Sequence, residues 1–238
     1  MTGASRALGA EIARTMARYG AEVIVNYHHS RDAALALCNE LAAGGGKARA
    51  IQADVTRPDE VERLVSESGT VDILVNNVGP YADAPWLDLT LADFDRILEG
   101  NLRSTFMMSR AAGTLMKRRG RGHIVNITAT DVFHRSHSVY GLAKSALVHL
   151  TEGMALELAP EVCVNAVAPD LIADNEDMPD ELPGRAISAT PLGKLISRAE
   201  IAEVVCLLCT PAFAMMTGRT IILDGGRTIP RVALGKGD

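Results

Sequence analysis

No apolar run in this chain is long enough to span a bilayer. The longest stretches, such as Val204-Val-Cys-Leu-Leu-Cys209, fall far short of the roughly twenty residues a membrane helix needs. No basic-then-apolar leader opens the chain, so a cytoplasmic location is expected. An excess of positive charge is missing too. Lys and Arg number 24 against 29 Asp and Glu, a net charge of −5, which speaks against nucleic acid as a partner. Cysteine is scarce, with only Cys38, Cys163, Cys206 and Cys209. The last two form a C-x-x-C pair, but they fall within an amphipathic helix pattern and no second ligand pair accompanies them. Core thiols are expected there, and no metal centre. Linkers, repeats and low-complexity segments are also lacking, so one domain over residues 1–238 is expected.

Short β-branched runs alternate with longer helical patterns. The runs at 23–26, 50–53, 73–75, 123–127, 162–167 and 220–223 read as buried strands. Helical patterns cover about 9–19, 30–43, 58–67, 90–118, 139–158 and 199–208. This alternation predicts an α/β fold: a doubly wound, Rossmann-type parallel sheet with helices on both faces. The chain begins inside its first loop, where a strand is expected beforehand. Such a strand would lie centrally, and its loss would leave neighbouring strand edges bare. The expectation is that it lies upstream of residue 1.

Two features carry chemistry. Thr2-Gly3-Ala-Ser-Arg-Ala-Leu-Gly9 is a glycine-bearing turn that opens a helix, an arrangement that brings backbone amides and a positive helix end to a pyrophosphate. Tyr140 and Lys144 stand four residues apart, so on a helix both reach one face. A nearby cation favours a phenolate, which equips a tyrosine to move protons near neutral pH.

Together with these, Asp54-Val55, Asn76-Asn77-Val78-Gly79, Asn101-Leu102, Asn165-Ala-Val-Ala-Pro169, Thr217-Gly218 and Asp224-Gly225-Gly226 occur in the order seen in the short-chain dehydrogenase/reductase family. The chain resembles that family almost end to end, and most of all its 3-oxoacyl-[acyl-carrier-protein] reductase branch. Ala7 replaces the middle glycine of the loop. The resemblance implies reduction of a ketone or 3-oxoacyl carbonyl by hydride transfer, with Tyr140 as proton donor. Lys144 would lower the tyrosine's pKa and hold the nicotinamide ribose, and Asn101 would position a water in the proton relay. It implies nucleotide contacts from Gly3, Ser5, Arg6, Leu8, Gly9, Asn26, Tyr27, Ser30, Asp54, Val55, Asn77, Val78, Gly79, Tyr140, Lys144, Pro169 and Ile172. No acid follows the strand at 23–26 until Asp32. Arg6, Asn26 and Ser30, with His28, can meet a 2′-phosphate, so NADP(H) is expected over NAD(H).

The family's polarising serine is absent. Aligned from the strand, Ala129 stands in its place, while counting back from Tyr140 points nearer Thr128. Thr128 or Thr130 is the expected substitute. The alternative is altered chemistry on the same fold, of a lyase or isomerase kind, or nucleotide binding without ordinary redox activity. Residues 131–138 are expected to border the substrate pocket. Asp131, His134 and His137 lack a fourth metal ligand, and Arg135 could meet an anionic substrate or face solvent. Residues 170–190 resemble a substrate lid, with six acids between Asp170 and Glu181. Lys117, Arg118, Arg119 and Arg121 suit a helix C-terminus, or the docking of an acyl-carrier protein. The family's habit implies a homotetramer.

Overall fold

Six parallel strands form the two sheets of the computed structural model, which describes residues 1–82, 84–134, 137–175 and 182–229. Helix α1 (Ala7–Arg18) leads to β1 (Glu22–Tyr27), and α2 (Arg31–Ala43) carries the chain to β2 (Lys47–Gln52). Helix α3 (Pro58–Ser68) then crosses to β3 (Ile73–Asn76). Next come α4 (Leu91–Leu98), a π turn (Glu99–Arg103), α5 (Ser104–Arg119) and β4 (Gly122–Ile127). Short α6 (Asp131–His134) and long α7 (Val139–Leu158) precede β5 (Val162–Pro169). Helices α8 (Leu182–Ala189) and α9 (Arg198–Leu207) come before the final β6 (Thr220–Leu223).

The strands order as β2-β1 and β3-β4-β5-β6, two parallel sheets rather than one. Residues Met1–Ala4 run between them and bond to both. Asn26 N–H donates to the Met1 carbonyl at 3.2 Å and Ala4 N–H to the Asn26 carbonyl at 2.9 Å, while Thr2 N–H donates to Val75 at 3.0 Å. Beyond this bridge, toward the starts of β1 and β3, the sheet opens into a cavity of about 650 Å³ lined by Met16, Val23, Ile24, Leu64, Leu74 and Met108. The expected doubly wound order is present, with the chain's direction of winding switching at Met1–Ala4. In such a sheet, ligands bind at the carboxyl ends of the strands beside the switch.

Local chemistry accounts for the elements. Helix α1 buries Leu8, Ile12, Thr15 and Met16, a stripe at helical spacing. Pro58 opens α3 with Asp59 and Glu60 in its first turn, which suits the helix dipole. Ser197 and Glu200 form a reciprocal capping box at α9. One core cluster gathers under α1 and α9 and includes Ile12, Val25, Val167 and Ile201. A second, under α3, α5 and α7, includes Val61, Met116, Ile124 and Val164. A buried polar ladder crosses the second layer. The Asn76 amide donates to Ser109 (2.9 Å) and Asn126 (2.8 Å), and Asn126 donates to Thr151 (2.9 Å). Buried amides need such partners, and here they pin β3 and β4 to α5 and α7.

The continuous helix expected over 90–118 is interrupted. Ser104 donates to the Gly100 carbonyl (2.6 Å), Thr105 to that of Asn101 (2.8 Å), and the Asn101 amide to that of Ile97 (3.0 Å). Side-chain donors of this kind accompany a π turn, which inserts one residue and re-aims the side chain it carries. Among the described residues, no helix is long and apolar enough to cross a membrane.

Candidate active site

The loop between Thr2 and α1 is built for close backbone contact. A Cβ on Gly9 would lie 2.2 Å from the Gly3 carbonyl oxygen, so only glycine fits there. The Asn77 amide donates to the Gly3 carbonyl at 3.1 Å, and Thr2 Oγ1 accepts from the Asn77 and Val78 N–H groups at 3.0 and 3.3 Å. The end of β3 therefore braces the loop. No side chain caps α1 at Arg6, which leaves its first N–H groups directed at the cleft for a phosphate. These are features a pyrophosphate needs. Ala7 holds φ at 49°, alone in the left-handed region among the described non-glycine residues. The methyl in place of the family's glycine is thus accepted with backbone strain.

Ser5 and Arg6 line a cleft of about 430 Å³ beside α2, together with Asp174 and Arg198. Arg6 is exposed, Ser30 half-buried and Tyr27 buried. Asn26 is placed differently from the sequence expectation. Its amide donates to Ala53 O at 3.1 Å and Ile51 O at 3.4 Å, and its Oδ1 accepts from Gly3 N–H at 3.3 Å. It is 2% exposed, so it anchors the loop and offers no free donor to a 2′-phosphate. His28 is exposed at the same edge, 3.9 Å from Asp54. Burial raises the Asp54 pKa, but hydrogen bonds from Thr56 N–H and Oγ1 outweigh it, so the carboxyl titrates below its ordinary value. Leu8 and Val55 turn their side chains into the core, so the expected nucleotide contacts at these positions fall to their backbones. Ile172 pairs with Ile196 in an isolated bridge beyond Pro169.

Asn101, Tyr140 and Lys144 are brought together. The π turn points Asn101 at Gly79, and its Nδ2 donates to Pro80 O at 2.8 Å. Its buried Oδ1 has no partner among the described residues. A methyl on Gly79 would sit 2.6 Å from that oxygen and 2.9 Å from Lys144 Nζ, so the two polar atoms converge on one spot beside Gly79. An orphaned buried acceptor beside a buried ammonium suits a ribose hydroxyl or a water. Lys144 Nζ also donates to Ile127 O at 2.9 Å and lies 5.4 Å from the Tyr140 ring centre. Tyr81 packs edge-on against Tyr140, ring centres 5.0 Å apart.

The electrostatics of the cleft differ from the expected direction. Burial raises the Tyr140 pKa above its ordinary value, with Asp131 and Tyr81 adding to the rise. Burial lowers Lys144 to about 8, against an opposing pull from Asp131. Burial governs both shifts and neither group moves the other, so the expected favouring of the phenolate by Lys144 is not seen.

Neither candidate hydroxyl is free. Thr128 Oγ1 donates to the Lys144 carbonyl at 2.9 Å, and Thr130 Oγ1 donates to Asp170 Oδ1 at 2.7 Å. A hydroxyl has one proton to give, so in this arrangement Thr128 fastens α7 rather than polarising a carbonyl. Ala129 is buried. The sequence reading missed Arg227, whose guanidinium grips Asp170. The pair lies 57 positions apart in the chain, and no local pattern signals it. Arg135 and residues 176–181 of the expected lid lie outside the described residues, as does the His134 side chain. Among the described residues, no group of three or more His, Cys, Asp or Glu could hold a metal ion. The basic cluster is largely engaged: Arg119 with Val71 O and Asp72, Arg121 with Asp72, and Lys117 with Glu157 O.

A family model described as enoyl-(acyl carrier protein) reductase matches residues 3–228. A 3-oxoacyl-[acyl-carrier-protein] reductase from Synechocystis is 37% identical over 235 residues, covering 95% of this chain and 94% of the relative. The solved structure of a 7α-hydroxysteroid dehydrogenase complexed with NADH and 7-oxo glycochenodeoxycholic acid is 33% identical, with a TM-score of 0.89 over 94% of this chain and 91% of that one. A blue fluorescent protein from a metagenomic library, in complex with NADPH, is 34% identical, with a TM-score of 0.87 over 95% of each chain.

Proposed function

The chain belongs to the short-chain dehydrogenase/reductase family, and on that footing we propose that it is an NADP(H)-dependent reductase that converts a ketone or 3-oxoacyl carbonyl into a hydroxyl. The observation that most supports this reading is the convergence of Asn101 Oδ1 and Lys144 Nζ beside Gly79, with Tyr140 one turn away on α7. The nicotinamide supplies the hydride when bound. Tyr140 gives its phenolic proton to the carbonyl oxygen. Lys144 holds the ribose hydroxyls and, when charged, draws the tyrosine toward ionisation. Asn101 Oδ1 accepts a hydrogen bond from the water that returns the proton. Thr128 contributes through Lys144, whose backbone it fastens.

The NADP(H) preference rests on charge. No carboxylate stands at the end of β1 to receive a ribose 2′-hydroxyl, whereas Arg6 is exposed at the loop and Ser30 opens α2. The Synechocystis relative supports a 3-oxoacyl thioester as the first substrate to try. An acyl-carrier protein as carrier and a homotetrameric assembly are proposed by family likeness.

The test is NADPH oxidation against ketones, keto esters and 3-oxoacyl thioesters, with Tyr140→Phe alongside. Turnover lost by a factor of about 10² or more in Tyr140→Phe, with NADPH still bound, is the expected result. Tight NADPH binding without turnover of any carbonyl in the wild type refutes the reading. For the cofactor, Arg6→Ala should raise KM for NADPH much more than for NADH; equal effects refute the preference.

A further inference from the structure

We propose that Asp170 and Arg227 form a clasp that positions the loop after β4 against the turns after β5 and β6, making both of them positioning residues for carbonyl reduction. Asp170 stands where the family usually has glycine, directly after β5. Its backbone N–H donates to Leu223 O at 3.0 Å, a bond that any residue could make. The side chain does something further. Its carboxylate is 5% exposed, takes Nε and Nη2 of Arg227 in a two-pronged grip, and accepts the Thr130 hydroxyl at 2.7 Å. One carboxylate thus ties three loops at the carboxyl ends of β4, β5 and β6.

Each loop leads somewhere relevant. On the β4 side, Thr130 is two residues from Thr128, which holds the Lys144 carbonyl, and its N–H donates to Pro169 O at 3.2 Å. Movement of Thr130 therefore reaches the helix carrying Tyr140 and Lys144. On the β6 side, Asp224 gathers the turn holding Arg227 by accepting from Gly226 N–H, Thr228 N–H and Thr228 Oγ1. That turn packs on the end of α8: Leu192 N–H donates to Gly225 O at 3.2 Å, and a Cβ on Gly225 would meet Thr190 Cγ2 at 2.5 Å. On the β5 side, Ala173 N–H donates to Ile196 O at 2.8 Å, tying the chain after β5 to the chain just ahead of α9.

A role for Arg227 as an anion receptor fits less well. Asp131, Asp170 and Asp224 all lie within electrostatic reach of the guanidinium and hold it more firmly charged than usual. Three carboxylates outweigh one cation, so an incoming anion gains little. A buried ion pair is also weak evidence of stability, because desolvation offsets its attraction. What such a pair can supply is fixed geometry, and misplacement by about 1 Å costs catalysis on the order of 10²-fold.

The kinetic arm of the test rests on the reductase reading; the exchange arm does not. Asp170→Asn, Arg227→Gln and the double variant are compared with wild type using NADPH and the carbonyl substrate found above. Each single variant should lower kcat about tenfold or more with NADPH Kd within about twofold, and the double should be no worse than the poorer single. Additive losses, or a fall in NADPH affinity large enough to explain lost turnover, overturn the clasp. Hydrogen exchange in Asp170→Asn should accelerate together in residues 128–134 and 224–228. Acceleration in 224–228 alone overturns it. A wild type that reduces no carbonyl refutes the reductase reading, and the exchange result then decides the clasp.

Discussion

Gly79→Ala should disable the site while leaving the fold in place. The added methyl would lie 2.6 Å from Asn101 Oδ1, 2.9 Å from Lys144 Nζ and 3.5 Å from Asn101 Cγ. The first two contacts fall well short of ordinary van der Waals separation, about 3.5 Å. Asn101 cannot retreat freely, because Nδ2 is held by Pro80 O and Ile97 O and the residue is fully buried. Lys144 can swing, but only by giving up Ile127 O. Either response displaces a group that the proposed reduction uses by roughly 0.5–1 Å, which predicts a fall in kcat on the order of 10²-fold. The cost to stability is smaller. Crowding costs about 1–3 kcal/mol, and Gly79 does not occupy the left-handed region, so loss of unfolded-state freedom returns up to about 1 kcal/mol. The assay is steady-state turnover at saturating NADPH, with NADPH affinity by fluorescence and Tm on the same preparations. A kcat within threefold of wild type at unchanged Tm would show that Asn101 and Lys144 do not meet beside Gly79.

Ala7→Gly should raise stability slightly. The left-handed φ of 49° costs an alanine about 1–2 kcal/mol, and glycine's greater unfolded-state entropy takes back about 0.4–1 kcal/mol. The expected gain is a Tm higher by a few degrees in thermal melts; a fall of several degrees would refute strain at this position. Lys144 should leave a signature in stability against pH. Its folded pKa of about 8 lies below the ordinary 10.5, so between those values the unfolded chain holds a proton that the folded one has shed. Its contribution to stability therefore rises with pH across that window, by on the order of 3 kcal/mol at most. Urea melts at pH 7.5 and 10 should show wild type gaining on Lys144→Met; a constant difference would refute the burial argument.

The strands were legible because parallel strands are short β-branched runs. All six runs named from sequence overlap strands, although β2 and β6 are only partly buried rather than buried as expected. Tyr140 and Lys144 were legible because a four-residue spacing survives any helix. Asn101 was legible by motif, but its π turn was not. One inserted residue barely disturbs hydrophobic periodicity, and the bonds that sustain the turn come from Ser104, Thr105 and Asn101 themselves. Asn26 misled because a polar residue at the end of β1 reads as a ligand contact. Its partners Gly3, Ile51 and Ala53 lie more than 20 positions away in sequence. Thr128 and Thr130 were legible as candidate hydroxyls, but sequence shows a donor without showing whether its proton is spent, and both protons are donated elsewhere.

The electrostatic reversal at Tyr140 and Lys144 bears on how the pair could work. A spacing argument treats the ammonium as a fixed charge beside a phenol. In the folded chain the ammonium is itself buried, so near pH 8 it is only about half charged and cannot be relied on to favour the phenolate. An anionic nucleotide in the cleft changes that balance. A pyrophosphate there would lower the local potential and ribose hydroxyls would replace part of the lost hydration, and both would push the lysine back toward its charged form. A charged Lys144 then draws Tyr140 down from its raised value. On this argument the acid/base pair is completed by the nucleotide, and binding must take up protons where the free lysine is partly neutral. Mixing NADPH with the protein at pH 8.5 in weak buffer should therefore raise the pH, read by an indicator dye, with uptake of up to about one proton per site. Lys144→Met should abolish most of it. Binding without uptake in the wild type would mean that Lys144 is already charged in the empty cleft, and the reversal would have to be abandoned.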